Sequence, residues 1–280
     1  MQNYRTVTQI IEPQLVIEGA GVLLRRSFGP NRANAFDPFL LFDHFAFNNP
    51  LEGPIKGFPT HPHRGIETVT YMLEGSVNHR DSLGNAGKIG AGDVQWMTSG
   101  RGILHEEMPR RGPSGNIFGF QLWVNLPARL KMTAPAYQEH GAERMPVEER
   151  EAGVRVKVIA GQTSLGTRGP ISAEATQPIY FDIELPQGAE FTEPVAADRA
   201  VFVVVHAGQV DVAGQVIEAV GLSQLGAGDT VRLRAVGGPA RALLIAGKPL
   251  NEAVAWYGPF VMNTHAEIVQ AIEDYQAGRF

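Results

Sequence analysis

Residues 61–73, HPHRGIETVTYML, contain the clearest structural signal in the chain. From Ile66 to Leu73 the stretch is rich in β-branched and aromatic residues, which is typical of a β-strand. His61 and His63 precede it, and on an extended chain side chains two residues apart point the same way. The stretch therefore predicts a strand that begins beside two converging imidazoles. Such a histidine pair is by itself a weak signal for a metal.

Other parts of the chain show the same β character. Residues 116–126, NIFGFQLWVNL, alternate, with Phe118 and Phe120 on one face and Gln121 and Trp123 on the other. Gly (32) and Pro (19) are abundant, which suits short strands joined by turns and predicts an all-β fold. Further strand-like runs occupy residues 154–160, 179–185, 200–206 and 240–246.

The end of the chain changes to a helical pattern. Residues 264–276 place Ile268, Ala271, Ile272 and Tyr275 on one stripe. Thr264, followed three residues later by Glu267, is a capping-box signature. The pattern predicts a C-terminal amphipathic helix that packs on a sheet.

Proline-spaced polar sequence near the middle indicates a division into two domains. Pro127, Pro135 and Pro146 interrupt residues 127–146. We expect an N-terminal domain over 1–134, a linker over 135–150 and a C-terminal domain over 151–280. The domain size this implies is ordinary for a single hydrophobic core.

Internal sequence similarity indicates that the second domain repeats the first. Residues 225–229, LGAGD, resemble residues 89–93, IGAGD, at an offset of 229 − 93 = 136. At such offsets the second half has no histidine where His61, His63 and His105 stand in the first half. We therefore expect a duplicated β-domain in which only the first copy has metal ligands.

The composition excludes several classes of function. The 280 residues have a formal net charge of −5 and no long Lys/Arg run that would bind nucleic acid. Cysteine is absent, which excludes disulfides, thiolate metal sites and cysteine nucleophiles. No apolar run approaches the ~20 residues that span a bilayer. We expect a cytoplasmic monomer without a signal peptide that binds neither nucleic acid nor membranes.

A second histidine motif completes a candidate metal site. His105 and Glu107 are two residues apart, so on a strand they share a face, while Glu106 points the other way. With His61 and His63 they form a set of three imidazoles and one carboxylate, suited to Fe(II), Mn, Ni, Cu or Zn. Glu67, four residues after His63, is an alternative ligand or a group that orients an imidazole.

Several long motifs resemble the pirin family. They are residues 61–71, 92–105, 121–126 and 258–264, and the similarity extends over nearly the whole chain from Phe39 onward. The resemblance implies two stacked cupin β-barrel (jelly-roll-like) domains with a C-terminal helix. It also implies one iron in the N-terminal barrel, bound by His61, His63, His105 and Glu107, with Glu67 outside the set of ligands.

The resemblance further implies an activity like that of quercetin 2,3-dioxygenases. We expect an Fe(II)-dependent dioxygenase that acts on quercetin-like flavonols with O₂, with Glu107 as the general base. Other divalent transition metals are compatible with the ligands. Candidates for an apolar pocket wall are Phe42, Trp96, Met97 and Phe120, and the alternative is that Trp96 and Phe120 are ordinary core residues. Gln121 joins them if its face turns inward.

Two other functions compete with the dioxygenase. The first is a redox-sensitive regulatory protein that acts through protein partners, motivated by a full-sized second half without ligands. The second is a structural metal that holds the barrel together. The absence of sulfur ligands argues against the structural metal, because closed structural zinc sites usually employ cysteine.

Overall fold

The computed structural model of the chain describes residues 3–32, 34–47, 56–173 and 175–280, and these are mostly β-strand. The first strands are β1 (Val7–Ile11), β2 (Gln14–Glu18), β3 (Val22–Phe28), β4 (Phe39–Phe47), β5 (Phe58–His63), β6 (Ile66–Glu74), β7 (Ser76–Asp81), β8 (Ala86–Ile89), β9 (Val94–Thr98), β10 (Ile103–Arg110) and β11 (Ile117–Asn125). Then come β12 (Ala136–His140), β13 (Val147–Glu149), β14 (Arg155–Ala160), β15 (Ile179–Leu185), β16 (Glu190–Pro194), β17 (Ala200–Val212), β18 (Gln215–Glu218), β19 (Leu222–Leu225), β20 (Thr230–Gly247), β21 (Ala255–Tyr257), β22 (Phe260–Met262) and helix α1 (His265–Gln276).

The chain divides into two compact units that are not consecutive in sequence. The first unit comprises Gln14–Ala142 and Leu250–Phe280, and the second comprises Met1–Pro13 and Glu143–Pro249. This grouping differs from the linear division expected from the sequence at both ends of the chain. The physical reason is strand pairing, because β1 pairs with β19 of the second unit and α1 packs on β22 of the first.

The first unit contains two main antiparallel sheets. The seven-stranded sheet has the order β12-β9-β6-β11-β4-β3-β2, and the four-stranded sheet has the order β5-β10-β7-β8. β21 and β22 form a separate hairpin. The two main sheets share a core of buried apolar side chains, namely Val22, Leu24, Phe45, Met72, Val77, Ile89 and Ile117.

Alternation along the strands gives the seven-stranded sheet two distinct faces. We call the face that carries Met72 and Ile117 the inner face, because these side chains pack toward the four-stranded sheet. Residues an even number of positions away share that face, so Thr70 and Gln121 are also on it. The expected strand over 116–126 is therefore confirmed, and its Gln121 face is the one that turns inward.

The second unit is built around one nine-stranded antiparallel sheet. Its main order is β1-β19-β17-β20-β15-β14-β13, with β16 on β20 and β18 on β17. Long strands β17 and β20 supply most of its core. That core is a large apolar cluster of valines, leucines, alanines and two phenylalanines, and includes Phe181, Val203 and Leu244.

Helix α1 confirms the sequence prediction closely. Thr264 is its N-cap, and its side chain accepts a hydrogen bond from the backbone of Glu267 while the Glu267 side chain bonds back. Ile268 and Ala271 are buried against Phe260 and Met262 of β22. Among the residues that the structure describes, no helix is both long and apolar enough to span a membrane.

Candidate metal centre

Three histidines converge on the inner side of the four-stranded sheet. β5 carries His61 and His63 two residues apart, and β10 brings His105 directly opposite His61. The ligand nitrogens of the three imidazoles all lie within 4.8 Å of one another. The pairing of β5 with β10 thus brings two separate sequence motifs into one cluster.

Backbone carbonyls define the tautomers of two of these imidazoles. Nδ1 of His61 lies 2.9 Å from the carbonyl oxygen of Pro59, and Nδ1 of His63 lies 3.3 Å from that of Pro259. Because a carbonyl oxygen can only accept a hydrogen bond, Nδ1 carries the hydrogen in both rings. Nε2 therefore keeps its lone pair, which is the form that ligates a metal.

The electrostatic setting keeps the buried imidazoles neutral. Burial lowers the pKa of His63 to about 3 and, with the neighbouring imidazoles, holds the pKa of His105 well below its usual range. Both ring nitrogens of His105 are buried and have no hydrogen-bond partner. Leaving such groups unpaired costs free energy, which coordination to a metal would offset. The donor set therefore fits a divalent transition metal.

Glu107 lies beside this cluster, but its carboxylate is held by the opposite sheet. It is buried and borders the same cavity as His61 and His63. Oε1 accepts a hydrogen bond from Thr70 Oγ1 at 3.3 Å, and Oε2 accepts one from Gln121 Nε2 at 3.2 Å. Among the described residues, the group within 4.8 Å consists of the three histidines without Glu107. A ligand role for Glu107 therefore stays a prediction.

The inner face opposite the histidines carries a polar row across five neighbouring strands. Thr70 and Gln121 are direct cross-strand partners. On the neighbouring strands Gln95 faces Thr70 and Asp43 faces Gln121. Arg26 closes the row with a two-point ion pair to Asp43, at 2.8 and 2.7 Å, and a third contact to Glu18. In register, the row reads Gln95, Thr70, Gln121, Asp43 and Arg26.

His61, His63 and part of this row border a cavity of about 380 Å³. Trp123 and Trp256 form one wall, with ring centroids 5.8 Å apart and planes inclined by 27°. The Trp123 ring also contacts the His63 ring edge-on, with ring centroids 4.9 Å apart. A flat aromatic wall beside a few convergent polar groups is suited to a planar, mostly apolar ligand.

The four candidates for the pocket wall do not line the cavity, and the alternative that Trp96 and Phe120 are core residues is confirmed. Phe42, Trp96, Met97 and Phe120 are fully buried, and none of them borders this cavity. Phe42 and Phe120 lie on the outer face of the seven-stranded sheet, where their rings stack at 5.6 Å. Because side chains alternate along β11, the cavity instead receives Gln121 and Trp123.

Glu67 is not part of the histidine cluster. On β6 it is an odd number of residues from Thr70, so it lies on the outer face. Its carboxylate accepts a hydrogen bond from Thr98 Oγ1 at 2.8 Å, and burial raises its pKa. The sequence alternative that made Glu67 a ligand is therefore not supported by its position.

The C-terminal segment supports the strand that carries His61 and His63. Arg64 exchanges backbone hydrogen bonds with Pro259 and Val261, at 3.4 and 3.1 Å. Its guanidinium pairs with Asp274 at 2.7 Å and lies under the Phe280 ring at 4.4 Å. Residues 258–264 stand out in the sequence, but their place in the fold does not follow from it, because the partners are almost 200 residues apart and no local pattern links them.

A buried lysine ties the same segment down. Lys131 Nζ donates hydrogen bonds to the carbonyls of Gly65 and Val261 and to Asn125 Oδ1, all within 2.8 Å. Gly65 has a positive φ of 82°, and a Cβ there would lie 2.0 Å from the Val261 carbonyl oxygen. Only glycine allows this close approach of the two backbones.

Comparison with known proteins agrees with this architecture. The pirin family model matches residues 21–124, and that of the pirin C-terminal cupin domain matches residues 180–280. A pirin-like protein of Caulobacter vibrioides is 51% identical over 276 residues, covering 99% of both chains. Pirin of Homo sapiens is 43% identical over 283 residues, covering 99% of this chain and 94% of its own.

A solved structure matches along the same length. The crystal structure of quercetin 2,3-dioxygenase from Acinetobacter baumannii has a TM-score of 0.88 and 35% sequence identity, covering 99% of this chain and 98% of that one. The same family is indicated by the two family models, by the relatives that match over the full length and by the fold. The chain, with its mostly β architecture and cupin domains, belongs to the pirin family.

Proposed function

We propose that this chain is an iron-dependent dioxygenase that acts on quercetin-like flavonols. The observation that carries the proposal is a cluster of three imidazoles, two of which, His61 and His63, border a cavity with a tryptophan wall. Burial keeps His63 and His105 neutral. The Acinetobacter baumannii quercetin 2,3-dioxygenase, which is similar over the whole chain, supports the choice of substrate class.

The metal would be held by His61, His63 and His105, with Glu107 as the fourth ligand. Fe(II) is our choice, and the same donors also suit other divalent transition metals. Such a metal supplies Lewis-acid activation of the bound flavonol oxygens. The tautomers of His61 and His63, each fixed by a carbonyl, present the required lone pairs without rearrangement.

The chain's own residues would bind the substrate and take up its proton. Trp123 and Trp256 offer a flat surface on which the flavonol ring system can stack. Glu107 would accept the proton of the flavonol hydroxyl as the substrate binds, for which its carboxylate would have to loosen from the metal, and this leaves the more reactive enolate. Thr70 and Gln121 orient the Glu107 carboxylate for this role through their hydrogen bonds.

The overall reaction needs no reductant beyond the substrate. One flavonol and one O₂ give one ring-opened ester and one carbon monoxide, with both oxygen atoms of O₂ in the organic product. Two carbon–carbon bonds of the heterocycle break, and the substrate supplies the electrons. The expected small-molecule partners are therefore a flavonol-like compound and O₂.

Oxygen uptake by Fe(II)-loaded protein with quercetin tests the proposal. We expect uptake by the wild type and none by His61→Ala. His206→Gln is the matched control, because His206 lies in the second unit and its Nε2 is paired with Asp182 at 3.1 Å. Absence of uptake by the wild type with iron confirmed bound, or equal uptake by wild type and His61→Ala, would contradict the proposal.

A redox-sensitive regulatory protein is the second candidate. One observation favours it: among the described residues, the second unit holds no cluster of metal-ligating side chains, although it is a full-sized β-domain. Such a unit is available for a protein partner. Pull-down from cell extract with the Fe(II) and Fe(III) forms tests this, and equal capture by both forms would count against a redox switch.

A further inference from the structure

A smaller cavity lies behind Glu107, on the side away from the tryptophan wall. Its volume is about 20 Å³, and its walls come from both sheets of the first unit. Its apolar wall includes Phe58, Pro109 and four buried members of the shared core, namely Val22, Phe45, Val77 and Ile117. Because roughly 10–15 Å³ is enough to admit one water-sized molecule, the cavity has room for one.

The cavity offers an apolar guest more contacts than it offers water. Its exposed lining is almost wholly apolar, although Thr70, Glu107 and Gln121 border it. These three polar side chains satisfy one another, since Thr70 and Gln121 both donate to the Glu107 carboxylate. A water molecule needs two to four polar partners to be held, whereas this lining offers an apolar guest mostly apolar contacts.

The cavity adjoins the candidate metal centre. Phe58, Glu107 and Gln121 border both this cavity and the larger one that contains His61 and His63. The Phe58 ring lies 6.3 Å from that of His61. A guest would therefore lie against side chains of Phe58, Glu107 and Gln121, which also face the histidine side.

We propose that this cavity is a binding site for dioxygen, held one molecule at a time beside the histidine cluster. Dioxygen is small and apolar, so it prefers a dry apolar space to water. The role in supplying O₂ rests on the proposed function, whereas the binding of an apolar diatomic-sized guest rests on the cavity alone. Placing O₂ behind Glu107 keeps it apart from the flavonol, which occupies the tryptophan side.

Xenon is a suitable probe, because it is a heavy, apolar atom that enters dry cavities. We expect crystals of the full chain under xenon pressure to show one xenon atom among Val22, Val77 and Ile117. Val77→Leu adds one methylene and should remove the xenon. Ile117→Val enlarges the cavity and should keep it. Absence of xenon from the wild type, or ordered water in its place, would overturn the binding site.

The role in the reaction is tested with the Fe(II)-loaded enzyme at varied oxygen. For Val77→Leu we expect KM for O₂ to rise about threefold or more, with kcat and the KM for quercetin unchanged. Val69→Leu is the matched control, because Val69 is equally buried but lies on the outer face of β6. An unchanged KM for O₂ in a folded Val77→Leu, as judged by its melting temperature, would overturn the role.

The two proposals fail in different ways. If the wild type consumes oxygen but filling the cavity changes neither xenon binding nor KM for O₂, the dioxygenase stands and the cavity inference falls. If the wild type consumes no oxygen, the proposed function and the cavity's role in it both fall. Xenon in the wild type but not in Val77→Leu would still establish an apolar binding site.

Discussion

The two units use similar antiparallel sheets for opposite purposes. The interior of the second unit is an apolar cluster, with Phe181, Val203 and Leu244 fully buried. The interior of the first unit instead contains three histidines and a row of polar side chains that includes Gln121 and Asp43. Buried polar groups must be paired or they destabilise the fold, whereas apolar side chains only need to fill space.

The polar interior makes the first unit intrinsically less stable than the apolar interior makes the second. Each residue of the polar row in the first unit makes at least one hydrogen bond, whereas His105 on the other sheet has no partner at either ring nitrogen. The unit also needs extra bracing, through Lys131 and the C-terminal segment. We infer that the second unit mainly contributes stability and surface, while the first carries the chemistry.

The largest expected effect is loss of the metal from the first unit. His105→Ala should abolish stoichiometric iron binding, because it removes one of three clustered imidazoles. The melting temperature of the metal-free protein should fall less than for a buried apolar truncation, since the cavity left by the imidazole is offset by removing two unpaired nitrogens. Metal analysis and thermal melts measure both. The control variant His206→Gln should bind iron normally. Full iron content in His105→Ala would contradict the assignment of the metal site to the first unit.

A core truncation in the second unit should have the reverse effect. Phe181 is fully buried, so Phe181→Ala should lower the free energy of unfolding by about 3–5 kcal/mol. Iron affinity, measured below the unfolding transition, should stay at the wild-type value. Denaturant unfolding with and without iron measures the change. A fall in iron affinity in the folded variant would show that the second unit also shapes the site.

A smaller effect is expected from the polar row. Thr70→Val removes the hydroxyl that donates to Glu107 Oε1, so the carboxylate becomes less well oriented. Loss of such an orienting partner typically costs about 10–100-fold in metal affinity or activity, and we expect the lower end. Thr70→Ser keeps the hydroxyl and should behave as wild type. Equal iron affinity in both variants would remove Thr70 from the site.

The smallest effect concerns acid stability of the C-terminal brace. The guanidinium groups of Arg64 and Arg279 hold the pKa of Asp274 well below its usual range. A carboxyl with a lowered folded pKa stabilises the protein above its unfolded pKa of about 4 and loses that contribution as the pH falls. The melting temperature of wild type should therefore exceed that of Asp274→Asn at pH 7, and the gap should narrow toward pH 3.

Asp211→Asn in the second unit is the comparison for this prediction. Its partner Arg234 is half exposed and 3.5 Å away, so solvent screens the pair. We expect almost no change in melting temperature at either pH. A gap for Asp274→Asn that stays constant from pH 7 to pH 3 would show that the ion pair with Arg64 does not stabilise the brace through its charge.

Much of the local structure could be predicted from sequence because it depends on neighbouring residues. The strand over 66–73, the helix capped by Thr264 and the shared face of His105 and Glu107 all follow from periodicity and capping chemistry. The pocket wall could not be predicted in this way. Alternation shows that Phe120 and Trp123 are on opposite faces, but not which face turns inward.

The sequence by itself determined the strands, the helix and the two histidine motifs, because these follow from residue types at short spacing. Only the tertiary structure decided that Thr70 and Gln121 hold Glu107, that Pro259 orients His63, and that Trp256 joins Trp123 at the cavity. These contacts join residues up to 196 positions apart. They depend on strand register and on where the C-terminal segment packs, which the burial of the whole apolar core selects rather than any local pattern.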